Sequence, residues 1–208
     1  MMRIGVLALQ GAFREHLQAL VSLGIEGVAV RLPQHLRGIA GLIVPGGEST
    51  TIGKLAASYD LLPAIRDLAK AGKPIWGTCA GLVFLAREIV GYECQPRLGL
   101  LDIKVRRNAF GSQVNSFETW LSIPVLNKVA LPEEHGQPFP CVFIRAPLIE
   151  AVGEGVEVLA RLDGLGIVAA QQGPFLVTAF HPELTRDRRF HRYFVSLVLD
   201  NLRGPLPR

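Results

Sequence analysis

The stretch PIWGTCAGL, from Pro74 to Leu82, sets one cysteine between two apolar runs. The first run reads as a strand and the second as the start of a helix, predicted to extend from Ala80 to Ile89. Gly77-x-Cys79-x-Gly81 on such a junction has the form of a nucleophile elbow. The cysteine sits on a sharp turn, so the residues two positions away on either side must be small. A helix starting at Ala80 directs its N-terminus at Cys79, and the partial positive charge there favours a thiolate. The Ala80 N–H is left to donate to an oxyanion. The plainer reading of a free cysteine is a small buried hydrophobe. Cys94 and Cys141 lack the Gly-x-Cys-x-Gly setting and take that plainer reading.

Outward from the elbow, apolar runs alternate with helical patterns. Strands are predicted at Arg3 to Leu9, Val28 to Arg31, Gly41 to Val44 and Ile75-Trp76. Helices are predicted from about Glu15 to Leu23, stopped by Gly24, and from Pro63 to Ala71, with Pro63 in the first turn and Gly72 past the end. A βαβα order argues for a mostly parallel sheet covered by helices on both faces, a three-layer α/β fold with a flavodoxin-like core. Strand-like segments follow at Leu101 to Val105, Phe117 to Ile123 and Val142 to Ile144. Val156 to Leu162 and Ile167 to Ala170 flank Asp163-Gly164 as a hairpin. Phe175 to Phe180 is another strand. A last helix runs from about Asp187, with Phe190, Tyr193, Phe194, Leu197, Val198 and Leu202 on one stripe. No internal repeat or linker is visible, and a single domain over residues 1–208 is expected.

The 208 residues are 49% hydrophobic and 19% charged, enough for one good core. No 18-residue apolar run is present, and the first apolar stretch is too short for a signal peptide. Three cysteines at no metal-ligand spacing indicate neither a disulfide framework nor a zinc site, so a reducing, cytoplasmic setting is the expectation. The formal charge of +4 comes without a basic stripe interleaved with aromatics, which argues against nucleic acid. The densest basic run, TRDRRFHR at Thr185 to Arg192, reads as a solvated helix face.

A nucleophilic cysteine needs a base, and the base an orienter. FHPEL, Phe180 to Leu184, directly follows an apolar strand. In an extended segment His181 and Glu183 point to the same side, and Pro182 biases His181 toward that conformation. His181 can then face Cys79 while Glu183 steadies its second nitrogen. His16, His35, His135 and His191 lack this setting and read as surface or helix residues. IVPGGEST, Ile43 to Thr50, follows a buried strand on the same predicted edge. Gly46 and Gly47 let backbone N–H groups approach a ligand. The plainer alternative is a loop with Ser49 or Thr50 capping the next helix.

Taken together, PGGEST, GTCAG and FHPEL resemble the Cys-His-Glu glutaminase domains of class I glutamine amidotransferases. GVLALQGAFREH near the N-terminus, RNAFGSQ at Arg107 to Gln113 and FIRAP at Phe143 to Pro147 narrow the resemblance to the glutaminase subunits of pyridoxal 5′-phosphate synthase. It implies Cys79 as nucleophile, His181 as base and acid, and Glu183 as orienter. It implies an oxyanion hole at Gly46, Gly47 and Ala80. L-Glutamine would be held by Gly47, Glu48, Ser49, Arg107, Ile144 and Arg145, with Arg106 the competitor for the substrate carboxylate. It implies no metal or organic cofactor. The implied partner is a synthase subunit that receives ammonia within a large hetero-oligomeric ring, and that partner would switch on the oxyanion loop by flipping a peptide near Gly46-Gly47. The stretch Asn127 to Pro140 is longer than the family's usual link. The alternatives are a glutaminase for another synthase, such as imidazole glycerol phosphate synthase, and a DJ-1-like reactive-cysteine protein.

Overall fold

In the computed structural model, residues 2–109 and 116–204 are described, so Phe110 to Gln113 of the RNAFGSQ motif lie outside the described residues. The chain begins β1 (Arg3–Leu7), α1 (Phe13–Ser22), β2 (Glu26–Val30), β3 (Gly41–Val44), α2 (Ser49–Ser58), α3 (Leu61–Lys70), β4 (Ile75–Thr78) and α4 (Ala80–Leu85). It continues β5 (Ala86–Ile89), β6 (Leu101–Arg106), β7 (Ser116–Leu121), β8 (Phe139–Ile144), β9 (Leu148–Val152), β10 (Glu157–Leu162), β11 (Gly166–Gln172), β12 (Phe175–Thr178) and α5 (Arg189–Arg203). The main sheet has the order β2-β1-β3-β4-β12-β11-β9-β6-β5, with β10 beside β11; β7 and β8 form a separate hairpin. From β2 to β12 every neighbour is parallel. Around β11 the pairing turns antiparallel, and β5 and β6 are parallel again at the far edge.

The parallel strands are short and apolar because both of their faces are covered. GLIV of β3 and IWGT of β4 are buried at every position. On one face, the Trp76 ring of β4 packs against His16 of α1 and against Phe190, His191 and Phe194 of α5. Gly77, the next residue, faces the other way, where a Cβ would come within 2.5 Å of Gly81 in α4. Helices therefore cover both faces, and the three-layer expectation is met. Phe190, Phe194 and Val198, one turn apart, carry the buried stripe of α5; Leu202, expected on that stripe, is exposed.

Three expectations need correction. The helix after the elbow ends at Leu85, not Ile89. All six of its residues are buried, so it has no polar face along which to continue. At Ala86 the chain turns extended and pairs with β6, placing Arg87 on Asp102. Strand β9 was not expected; LIEAV carries a weak pattern by itself and becomes a strand by filling the gap between β6 and β11. The basic run is also not simply solvated. Arg189 is 3% exposed. Its guanidinium chelates Asp187 and donates to the carbonyls of Gln137 at 2.6 Å and Pro138 at 2.9 Å. Arg192 pairs with Glu134. These arginines pin the long Asn127 to Pro140 stretch to α5.

Candidate functional site

The carboxyl ends of β1, β3, β4 and β12 meet on one edge, and the elbow stands among them. Cys79 adopts φ 48°, ψ −105°, and its N–H donates to the Thr178 carbonyl at 2.8 Å. The small flanking residues are required: a Cβ on Gly81 would lie 2.0 Å from the Val44 carbonyl oxygen. Four described non-glycine residues have positive φ, and three of them, Cys79, Asn108 and Arg145, line one cavity. Such conformations cost about 1–3 kcal/mol each and persist where the surrounding structure enforces them.

That cavity, of about 200 Å³, is lined by Gly47, Glu48, Ser49, Cys79, Ala80, Arg107, Ile144, Arg145 and His181 from the expected set, together with Gln10, Val83, Asn108 and Pro147. Gly46 lies directly beneath it: a Cβ there would be 2.3 Å from Cε1 of His181 and 3.2 Å from Cβ of Cys79. Glu183 stands behind the cavity. His181 follows β12, and its N–H is tied to the Val142 carbonyl of β8 at 2.9 Å. Its Nδ1 donates to Oε1 of Glu183 at 2.7 Å, which leaves Nε2 for the thiol. Burial alone would lower the His181 pKa. Its hydrogen bonds to Cys79 and Glu183, and their negative charges, outweigh burial and push it up to about 10. The ring therefore holds a proton at neutral pH and is the counter-charge that a thiolate needs.

Across the cavity, Glu48 caps α2 by accepting from the Thr50 N–H at 3.3 Å and the Thr50 hydroxyl at 2.8 Å. The cap is Glu48 rather than Ser49 or Thr50. Partial burial opposes its ionisation, but the two Thr50 hydrogen bonds and the charges of Arg107 and Arg145 hold its pKa below the usual value. Arg107 donates to Glu48 at 2.7 Å and to Gln95 at 2.9 Å, and its guanidinium lies over the Tyr92 ring at 4.4 Å. Arg106 points elsewhere, pairing with Glu150. Of the two arginines, only Arg107 faces the cavity.

The loop after β3 is held from the β1–α1 connection. The Gly46 carbonyl accepts from the Ala12 N–H at 3.2 Å, and the Glu48 N–H donates to Oε1 of Gln10 at 2.7 Å. In a planar trans peptide the Gly47 N–H then points away from Ala12. Gly11 allows the approach, since a Cβ there would be 1.7 Å from the Gly46 oxygen. Residue-type reasoning missed Gln10, although it lies inside the LALQGAFREH motif. His16 and His191, expected as surface or helix residues, do lie on α1 and α5 but are both fully buried. Nε2 of His16 lies 3.4 Å from Oε2 of Glu183, so the site reaches one layer deeper than expected. Among the described residues, no group of three or more His, Cys, Asp or Glu side chains is arranged to hold a metal ion, and no helix is long and apolar enough to cross a membrane.

Comparison with known proteins gives a consistent picture. The model of the SNO glutamine amidotransferase family matches residues 6–200. A Moorella thermoacetica protein named pyridoxal 5′-phosphate synthase subunit PdxT is 56% identical over 197 residues, covering 95% of this chain and 100% of that protein. A Herpetosiphon aurantiacus protein of the same name is 58% identical over 198 residues, covering 94% and 100%. A crystal structure described as a glutamine amidotransferase superposes with a TM-score of 0.86 at 54% identity, covering 95% of this chain and 99% of that one.

Proposed function

This chain belongs to the SNO glutamine amidotransferase family, and from that premise we propose that it is the glutaminase subunit of a pyridoxal 5′-phosphate synthase, hydrolysing L-glutamine through Cys79, His181 and Glu183. The observation that carries the reading is the 2.7 Å contact from His181 Nδ1 to Glu183 Oε1 beside the elbow cysteine. It lies at the floor of a cavity whose opposite wall carries Glu48 and Arg107.

Glutamine is a zwitterion ending in a neutral carboxamide. Glu48 and Arg107 neutralise each other across the cavity. Substrate exchanges that internal pair for two matched ones, its ammonium on Glu48 and its carboxylate on Arg107, with Ser49, Ile144 and Arg145 closing the cavity around it. The carboxamide carbon is thereby presented to Sγ of Cys79. Attack forms the C–S bond and moves charge onto the carboxamide oxygen. Backbone donors at Gly46-Gly47 and Ala80 receive that charge, an effect of about 3–4 kcal/mol per donor. Protonated His181 gives its proton to the departing amine, releasing ammonia and leaving a γ-glutamyl thioester. Water, deprotonated by the now neutral His181, cleaves the thioester to glutamate and restores the thiolate. No step calls for a metal or an organic cofactor.

Ammonia released into water becomes ammonium and is lost as a nucleophile. The synthase subunit is therefore the direct recipient, held with this chain in a large hetero-oligomer. The free thiols of Cys79, Cys94 and Cys141 suit a cytoplasmic setting. The test is glutamate release from L-glutamine, with and without the synthase subunit, for the native chain and for Cys79→Ala. Turnover stimulated by that subunit and absent in Cys79→Ala is expected. Turnover stimulated instead by a different synthase would overturn the partner. No turnover in any pairing would overturn the glutaminase.

A further inference from the structure

Two buried imidazoles behind the site take no part in the chemistry proposed above. His16, on α1, brings Nε2 to 3.4 Å from Oε2 of Glu183 and 3.3 Å from the hydroxyl of Thr78 on β4. Its Nδ1 lies 3.0 Å from Nε2 of His191 on α5. Oε1 of Glu183 is already taken by His181, and Oε2 faces Nε2 of His16. Oε2 has no well-aligned hydrogen bond among the described residues; the Nε2 edge of His16, aligned on the Thr78 hydroxyl at 3.3 Å, also reaches it at 3.4 Å. A buried carboxylate oxygen left without a donor would be costly.

The ring facing that carboxylate fixes the tautomers. A lone pair of His16 turned toward Oε2 would be repelled, so Nε2 of His16 carries the hydrogen and its Nδ1 accepts. Nε2 of His191 must then donate, leaving its Nδ1 bare. That nitrogen is the one in the pair without a hydrogen-bond partner, and an unpartnered lone pair is a smaller penalty than an unpartnered buried N–H. Burial, reinforced by His191, His181 and Arg188, holds the His16 pKa well below its ordinary value, so the ring is a neutral donor.

We propose that His16 is a positioning residue for the glutaminase centre: its Nε2–H holds Oε2 of Glu183 so that Oε1 stays aimed at Nδ1 of His181, and His191 fixes the tautomer of His16 that can donate. The proposal rests on the roles assigned above to Cys79, His181 and Glu183. It explains why α1 meets the site twice. The backbone leading into it holds the Gly46–Glu48 loop, and His16, in its first turn and a half, holds the orienter. A buried orienter shifted by a fraction of an ångström misplaces the base, and misplacements of about 1 Å cost about a hundredfold in rate.

The test compares His16→Leu, His16→Gln and His191→Phe, each in a Cys94→Ser background so that Cys79 is the accessible thiol. Leucine keeps the bulk without a donor, whereas glutamine sets an amide N–H near the position of Nε2. Two readouts are taken: kcat and KM for glutamate release in complex with the synthase subunit, and the pH profile of Cys79 alkylation by iodoacetamide in the chain alone. For His16→Leu, kcat falls by about tenfold to a hundredfold with KM held within about twofold. The alkylation midpoint moves to higher pH, because His181 loses part of the charge partner that keeps it protonated. His16→Gln restores most of both, and His191→Phe gives a smaller shift in the same direction. A folded His16→Leu with native kcat and a native alkylation profile overturns the proposal. So do leucine and glutamine variants that lose activity equally and in step with their melting temperatures. If the native complex releases no glutamate, the glutaminase reading falls, and the alkylation profile alone decides whether His16 acts on His181 through Glu183.

Discussion

The two halves of the sheet meet at one cavity and contribute in different ways. The parallel half, β2 to β12, presents Cys79, His181 and the Gly46-Gly47 loop from the ends of short strands buried on both faces. The other side presents Arg107, Asn108 and Arg145 from turns beyond β6 and β8, and Arg107 is propped by Tyr92 and Gln95. In the first half His181 is tied to Glu183 and to the Val142 carbonyl, so geometry is rigid. In the second, Arg107 pairs across the cavity with Glu48 of the first, a pair that substrate exchanges in the proposed binding mode. Reaction is thus built on packed strands, and recognition on turns that can exchange partners. Changes in the first half should alter kcat, and changes in the second should alter KM.

The largest effect expected is from Cys79→Ala, which removes the proposed nucleophile: glutamate release by the complex falls by about three orders of magnitude or more, while thermal melting stays near native. A variant retaining even a tenth of native turnover would detach the elbow from the chemistry. Next is Gly46→Ala. Its new Cβ meets Cε1 of His181 at 2.3 Å, so the ring must move, and kcat drops about a hundredfold with KM little changed. Steady-state kinetics that showed only a raised KM would put Gly46 with the recognition half. Smaller again is Arg107→Ala. Losing the proposed charge-assisted contact to the substrate carboxylate, worth about 1.5–3 kcal/mol, raises KM about tenfold to a hundredfold with kcat mostly kept. Arg106→Ala, which breaks only the pair with Glu150, leaves both constants near native.

What the sequence revealed divides along a related line. The elbow, the FHPEL segment and the PGGEST loop were legible because each is set by local chain geometry: small residues around a strained turn, a proline fixing an extended dipeptide, glycines at a close approach. Arg107 over Arg106 became decidable only with β6 in place, because adjacent residues on a strand end face opposite ways. The His16–His191 contact was hidden, since it joins residues 175 positions apart and nothing in the LALQGAFREH motif that His16 closes points to His191. The shortened α4 and the added β9 were hidden for the same reason: a fully buried helix and a five-residue strand are decided by neighbours, not by their own periodicity. The basic run was misread because Arg189 is neutralised by Asp187 and three distant carbonyl groups.

The subtlest expected effect separates the buried imidazoles by sign. Burial and Arg188 lower the His191 pKa from 6.5 to about 3. In the unfolded chain that ring takes up a proton as the pH falls below about 6.5; in the folded chain it does not until near 3. The unfolded state then binds more protons, so the contribution of His191 is fully present above about pH 6.5 and is lost as the pH falls through that window. Each such ring adds a slope of about 1.4 kcal/mol per pH unit. His181 has the opposite sign: with its pKa raised to about 10, its contribution is present below pH 6.5 and is lost as the pH rises toward 10. Urea unfolding of the native chain and of His191→Phe between pH 5 and 7 isolates the first term, since the carboxylates titrate alike in both. The acid slope of His191→Phe is expected to be shallower by about one proton, with the alkaline limb unchanged. Equal acid slopes would mean that His191 is already protonated in the folded chain. A ring protonated on both nitrogens would still donate from Nε2 to His16, but its Nδ1–H would then be buried without an acceptor, and the neutral state assigned to His191 would fall.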